Sequence, residues 1–492
     1  MEVLLYAYFA LLMVFTLISM RYLYIIVGYF VNRHSWVLKP QPLKRFPKVC
    51  VQLPVFNEPF VVERIIRAST RIKWPKDKLE IQVLDDSTDE TPVIAAKVVE
   101  ELRREGFNIK HIRRENREGF KAGALKYGME LTDAEYFAIF DADFLPPENF
   151  LLKTIPFLEN DPKLGAVQTR WEFINGDENL FTRAQRFMLN LHFILEQFVR
   201  SREGLWLTFN GTAGVLKRSA LEWVGNWETD TLTEDADLSF RLYKKGYKIL
   251  YLPDIVCFSE LPNSPLAFKA QQKRWAKGGV QVFKKFYKDI FMGNIPFAWK
   301  IEFLFQTVGN LGYPLGMFLV GLLPSILYLK LKFKGYAPEL FFFMGILSVI
   351  DLSIVWGAFS LANYHYRKYW GDVLFAPLGM ALIGALTINN TMAIIEGLFG
   401  KENVFERTPK AGDKGIPVNR DISKKVSVSK LEIFWGLYLI FISILSVFIN
   451  QLILGVTLGV SGFGLLWLGT SSYLEILGYE LPDVVLNEQA ET

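Results

Sequence analysis

The chain has 492 residues, 51% of them hydrophobic, with a net charge of +4 and a mean hydropathy of +0.20. That apolarity, concentrated at the two ends, excludes an ordinary soluble enzyme and points to an integral membrane protein. The charge is too small to indicate a nucleic-acid partner.

In chain order, Val3 to Met20 is apolar, free of charge and long enough to cross a bilayer. No basic residue precedes it and no small-residue cleavage site is evident, which argues against a removable signal peptide. Arg33, Lys39, Lys44, Arg45 and Lys48 follow it, so residues 1–43 are expected to hold a transmembrane helix with its amino terminus outside and the next domain in the cytoplasm. Residues 44–290 read as that soluble domain, with an interfacial helix at its end. Its apolar runs Val49 to Val55, Ile81 to Leu84, Tyr136 to Phe140 and Leu164 to Gln168 predict strands. Pro59 to Ile72, Thr91 to Glu105 and Glu148 to Leu158 predict helices, and the alternation predicts a mostly parallel α/β sheet. Neither G-x-G-x-x-G nor a Walker loop is present, so any nucleotide is held another way. Cys50 and Cys257, the only cysteines, fall in this domain and read as reduced packing residues.

The carboxyl half returns to the membrane. Ile301 to Leu329 and Leu340 to Ala362 predict a helix pair within 291–364, and Leu431 to Leu477 predicts a second pair within 431–480, turning near 450–455. Val373 to Phe399 is apolar but carries Asn389, Asn390, Thr391 and Glu396, so 365–400 is expected to be interfacial or re-entrant. Residues 401–430 then form a basic cytoplasmic loop, 481–492 an acidic tail, and about five spans result. Lys330, Lys332 and Lys334 fall outside in this scheme, against the positive-inside trend.

The chemistry lies at the ends of the strands. Asp141 and Asp143, one residue apart where an apolar run ends, form a candidate cation site, since open α/β sheets bind ligands outside the carboxyl ends of their strands. Hard oxygen ligands suit Mg²⁺ or Mn²⁺ that also holds a phosphate. Asp85-Asp86 ends an earlier run and reads as either a ligand contact or a polar turn. Thr233-Glu234-Asp235 opens a helical pattern and reads as either an acidic site motif or a helix cap. Gln271 to Trp275 lies on a Lys- and aromatic-rich helix, Phe268 to Phe286, suited to a membrane surface.

In this order the residues resemble the signatures D, D-x-D, T-E-D and Q-x-x-R-W of the family 2 inverting glycosyltransferases, the cellulose synthase superfamily. They stand here as Asp85 or Asp86, Asp141-Ala142-Asp143, Thr233-Glu234-Asp235, and Gln271 with Arg274-Trp275. The surrounding stretches, including Phe209-Asn210-Gly211, are most similar to the cellulose synthase-like A branch, the β-mannan and glucomannan synthases, and to prokaryotic relatives. Phe405 to Lys410 resembles the F-x-V-T-x-K gating loop of processive synthases, with Arg407 in place of the family valine.

The resemblance implies a type A glycosyltransferase domain with a Rossmann-like sheet, inserted between transmembrane helices. It further implies a nucleotide diphosphate sugar donor, GDP-mannose or UDP-glucose, and a processive inverting transfer onto a β-linked polysaccharide. The alternative within the family is the transfer of a single sugar to a lipid acceptor. By the same resemblance Asp235, with Glu234 and Thr233, is catalytic, and Asp141 and Asp143 hold the metal. Gln52, Pro54, Asp85, Asp86, Lys121, Asp141, Gln271, Arg274, Thr408 and Lys410 bind the donor, and Phe209, Asn210, Gly211 and Trp275 the acceptor. The implied setting is the plasma membrane or an internal membrane. A transporter with a regulatory nucleotide domain would need ionisable residues within the spans, and few lie there beyond Arg21, Glu302 and Asp351.

Overall fold

In the computed structural model, which describes residues 2–332, 337–400, 422–449 and 451–478, the expected apolar runs become strands of one sheet. These are β1 (Val49–Val55), β2 (Leu79–Asp85), β3 (Ile109–Arg113), β4 (Tyr136–Ile139), β5 (Leu164–Phe173), β6 (Gly214–Lys217) and β7 (Lys248–Ser259). Their order is β3-β2-β1-β4-β6-β5-β7, with β6 antiparallel to both neighbours and the other pairs parallel. Alternation along β1 explains its unbroken hydrophobicity. Val49, Val51, Leu53 and Val55 face one core with Ile65 and Val98, while Cys50 faces another with Leu125 and Phe137. Both faces are covered, as a largely parallel sheet requires. Burial pushes the Cys257 thiol up to about 12, which fits its packing role.

β3, β6 and β7 are additional to the expected strands. β3 is short and carries two basic residues, and β6 has only 4 residues. β7 contains Pro253, which interrupts its pattern. The register against β5 jumps from Thr169↔Leu252 to Arg170↔Val256, so Pro253 sits in a bulge where its missing donor costs no ladder bond. Arg170 Nε donates to Pro253 O at 2.9 Å and holds the bulge in place.

Six helices among the described residues are long and apolar enough to cross a membrane, where about five were expected. They are Val3–Ser35, Phe297–Lys332, Pro338–Arg367, Ala376–Phe399, Ser423–Phe448 and Leu452–Ile476. The added one is the segment set aside for its polarity. Its amides are buried against protein, with Asn389 Nδ2 donating to Lys269 O and to Asn390 Oδ1, both at 3.0 Å. Polar residues at bilayer depth are tolerated where protein satisfies them. Residues 422–430, expected in the basic loop, instead open the helix Ile422–Phe448, because the stretch holds no helix breaker. The remainder of that loop and the acidic tail lie outside the described residues.

Arg21, Glu302 and Asp351, singled out within the spans, bind other parts of the protein. Arg21 pairs with Glu196 at 2.7 Å and Glu302 at 3.1 Å, and Arg200 completes the buried group at 2.9 Å from Glu302. Asp351 accepts hydrogen bonds from Thr16 and Ser19. These contacts tie the first span to the domain and to the third span.

Candidate active site

β1, β2, β4, β5 and β7 end along one cleft, which encloses about 1300 Å³ including its open mouth. At its centre, past the end of β4, the Asp141 backbone N–H donates to Thr212 Oγ1 at 2.8 Å. Lys121 Nζ donates to Asp141 Oδ1 at 2.5 Å and to Gly211 O at 3.0 Å. Asp143 is buried, and its Oδ2 accepts from Ser259 Oγ at 2.8 Å. Burial by itself depresses the Lys121 ammonium, but the charges of Asp141, Glu234 and Asp235 outweigh it and raise its pKa.

Asp235 opens the helix Glu234–Lys244 and lies against Gly211. Gly211 has φ +78, and a Cβ there would stand 3.0 Å from Asp235 Oδ2, so both the backbone and the close approach require glycine. Ser239 Oγ accepts from the Phe209 N–H at 2.8 Å and donates to Asp235 O at 2.6 Å, locking the acidic helix to the Phe209–Gly211 loop. Burial pushes the Asp235 carboxyl up to about 7, reinforced by the Glu234 charge and opposed by the Ala236 N–H and Lys121. Thr233 stands at the N-cap of that helix, but its side chain makes no capping hydrogen bond. Its methyl instead packs where Gly278 leaves room, since a Cβ on Gly278 would come within 2.4 Å of Thr233 Cγ2.

Gln271, Arg274 and Trp275 reach the cleft from the helix Pro265–Met292. That helix is anchored in the membrane bundle. Glu475 of the last span accepts from Ser264 Oγ at 2.5 Å and from the Leu266 N–H at 3.1 Å, and Lys269 pairs with Glu432 in the buried interior at 2.7 Å. Burial lowers the Arg274 pKa, and Glu234, Asp141, Asp235 and Asp143 oppose the shift.

Of the expected site residues, Pro54, Asp86, Lys121, Asp141, Asp143, Asn210, Gly211, Thr233, Glu234, Asp235, Gln271, Arg274 and Trp275 line this cleft. Gln52, Asp85 and Phe209 lie beneath it. Gln52 is spent on Gln82 and Leu125 O, and Phe209 is fully buried. Asp85 accepts from the Ser87 N–H and bonds His111, both at 2.8 Å, and these bonds outweigh its burial and lower its pKa. Asp86 is the member of the pair on the wall, where Arg114 holds it through Nε at 2.9 Å and Nη2 at 2.5 Å. Thr408 and Lys410 lie outside the described residues.

The sequence reading passed over Phe56, Glu58, Arg117, Phe144, Trp171, Phe173, Ser259, Glu260 and Leu261, which also line the cleft. Several sit at or just past a strand's carboxyl end, the signal that could have found them. Arg117 lies over the Phe56 ring at 3.2 Å.

Asp141, Asp143, Glu234 and Asp235 face Lys121 and Arg274 across this space, an excess of hard anionic oxygen that fits a divalent cation. A second acidic group, Glu228, Asp230 and Asp237, is tighter still, but Lys285 Nζ stands among its carboxylates, 2.7 Å from Asp230 and 2.5 Å from Asp237.

Residues 136–398 match the family model described as glycosyl transferase family group 2. The chain is similar to glucomannan 4-beta-mannosyltransferase 7 of Arabidopsis thaliana, 35% identical over 455 residues that cover 87% of this chain and 79% of that one. Glucomannan 4-beta-mannosyltransferase 9 of the same plant is 36% identical over 427 residues, covering 82% and 77%. In fold it is similar to the mannosyltransferase PcManGT from Pyrobaculum calidifontis, solved in complex with GDP-Man and Mn²⁺. The TM-score is 0.53 at 22% identity, covering 82% of this chain and 98% of that one.

Proposed function

Because this chain belongs to the family 2 glycosyltransferases, which invert the anomeric carbon, we propose that it moves mannose from GDP-mannose onto a growing β-linked glycan. The transfer is processive and runs on the cytoplasmic side of the membrane that its apolar helices cross. The mannosyltransferase names of the relatives support the donor, and the basic residues after the first span support the orientation. The observation that carries the reading is Asp235, a carboxyl raised to about 7 that lies across Gly211 from the Lys121–Asp141 pair. A base and a phosphate site thus share one cleft.

In a single displacement the acceptor hydroxyl attacks C1 of the sugar, its proton passes to a carboxylate oxygen of Asp235, and the bond from C1 to the diphosphate oxygen breaks. A hydroxyl is a poor nucleophile at neutral pH, and a positioned base contributes about 10²–10⁴ in rate. A carboxyl titrating near 7 is matched to that work. Arg274 and Lys121 bring positive charge to the departing diphosphate, the guanidinium in the geometry that suits phosphate oxygens. Asp141 and Asp143 hold Mg²⁺ or Mn²⁺, which when bound neutralises further diphosphate charge. Pro54 and Asp86 border the nucleoside, Gln271 the donor, and Trp275 with Asn210 and Gly211 the acceptor. The gating-loop resemblance assigns Thr408 and Lys410, outside the described residues, to the donor.

Purified full-length protein in lipid discs, given GDP-mannose and UDP-glucose separately, tests this. A ladder of β-linked mannose products is expected from GDP-mannose. A lipid carrying one sugar, with no longer product at any donor concentration, would replace polymer synthesis with lipid glycosylation.

A further inference from the structure

The sheet order divides the cleft. β4, carrying Asp141 and Asp143 past its end, lies between β1 and β2 on one side and β6, β5 and β7 on the other. The nucleoside side belongs to Pro54, near the end of β1, and Asp86, just past β2, and Asp235 lies against Gly211, which leads into β6. The donor's hexose therefore belongs over β4 and β6. The wall beyond it, at the ends of β5 and β7, has entered the chemistry so far only through Ser259, which donates to Asp143.

That wall has a specific composition. Register pairs Trp171 with Cys257 and Phe173 with Ser259, so Trp171 and Glu260 come to the same end of the sheet. The Trp171 ring is set by Phe144, edge-on at 5.1 Å, and by Phe193 at 4.9 Å and 32°. Its Nε1 is buried and has no hydrogen-bond partner. A buried donor left unsatisfied is destabilising. Past the end of β7 the Glu260 carboxylate, with a side chain 7% exposed, is paired with Arg64 at 2.5 Å, and Arg64 Nη2 also reaches Asp143 O at 3.5 Å.

An aromatic surface, a donor lacking an acceptor and a charge-balanced carboxylate together fit a sugar ring. Its C–H face packs on the indole, a ring or hydroxyl oxygen takes the Nε1 proton, and its hydroxyls donate to the carboxylate. An acyl chain would satisfy only the first of these. We propose that Trp171 and Glu260 form a subsite for a sugar of the acceptor glycan, distinct from the contact at Trp275. The inference rests on the glycan-extending reading of this cleft.

Full-length protein in lipid discs, with β-1,4-linked mannose oligosaccharides of increasing length as primers, tests it. Wild type comes first. Transfer to primers supports the glycan reading, and its failure alongside single-sugar lipid products would remove that reading and the subsite with it. With transfer established, Trp171→Ala is expected to raise the primer KM about tenfold. The donor KM should move at least fivefold less, and primers long enough to reach the subsite should lose their advantage over shorter ones. Trp171→Phe keeps the ring and loses the donor, and Glu260→Gln keeps the shape and loses the charge, so each should give an intermediate primer KM. A shift confined to the donor KM would assign the subsite to the donor's hexose and overturn the proposal. Equal loss for every primer length, with donor turnover to water lost in parallel, would reduce Trp171 to packing and overturn it as well.

Discussion

One helix, Glu234–Lys244, carries two carboxylates two residues apart that meet opposite fates. Asp235 faces the cleft, where burial and Glu234 raise its pKa to about 7. Asp237 faces away and is held by Arg241 Nε at 2.6 Å and by Lys285 among Glu228 and Asp230. The group around Asp237 is the tighter set of carboxylates, yet its ammonium makes it a clasp between the acidic helix and the helix Pro265–Met292. The density of acidic side chains does not mark a reactive centre. What separates the two is that Arg241 and Lys285 already neutralise Asp237.

The sharpest way to break the contrast is to remove the reactive member. Asp235→Asn is expected to cut transfer by at least about 10² while donor binding, measured by titration, stays intact. Asp141→Asn should lower transfer about 10²-fold by weakening the cation site, and a chelator should abolish wild-type turnover. Chelator-insensitive transfer would count against the assignment of Asp141 and Asp143. Asp235 acts as a base only when deprotonated, so its raised pKa puts the loss on the acid side. The donor kcat/KM should fall about tenfold per pH unit below about 7 and level off above it. A profile flat from pH 5 to 8 would detach the base from Asp235.

Gly278→Ala tests the packing behind the motif. The new Cβ would press on Thr233 Cγ2, displacing the start of the acidic helix, and about a tenfold loss in kcat is expected with little change in donor KM. The smallest catalytic effect belongs to the clasp. Lys285→Met leaves Arg241 as the remaining cation beside Asp237 and Glu228, which costs about 2 kcal/mol, less than a fully buried pair because Arg241 remains and the Lys285 side chain is 21% exposed. The thermal midpoint should drop by several degrees while turnover per folded molecule stays within about threefold. A loss as deep as that of Asp235→Asn would erase the distinction between the two groups.

Much of this was legible in the sequence, for reasons that also mark where legibility stops. β1, β2, β4 and β5 are apolar runs ended by polar residues, and both faces of their sheet are covered, so hydrophobicity alone reveals them. β7 escapes because Pro253 breaks its pattern, and only the opposing strand shows that the break is a bulge. The family resemblance found the D-x-D, T-E-D and Q-x-x-R-W residues, which the fold gathers from distant segments. It did not separate Asp85 from Asp86. Neighbours in a strand face opposite sides, and His111, which engages Asp85, arrives from β3. Trp171 and Glu260 went unnoticed for a similar reason, since neither belongs to a recurring pattern and only β5–β7 register brings them together. The polarity of Asn389 and Asn390 was legible without their partners, Lys269 O on another helix for Asn389 and each other.

The helix that presents Gln271, Arg274 and Trp275 has its foot in the membrane bundle, through Glu475 at its first turn and Lys269 against Glu432. One wall of the reaction chamber is therefore part of a lipid-embedded machine part, and sliding of the last two spans would be felt where the sugar is transferred. Excising residues 44–290 as a water-soluble catalyst would sever that linkage.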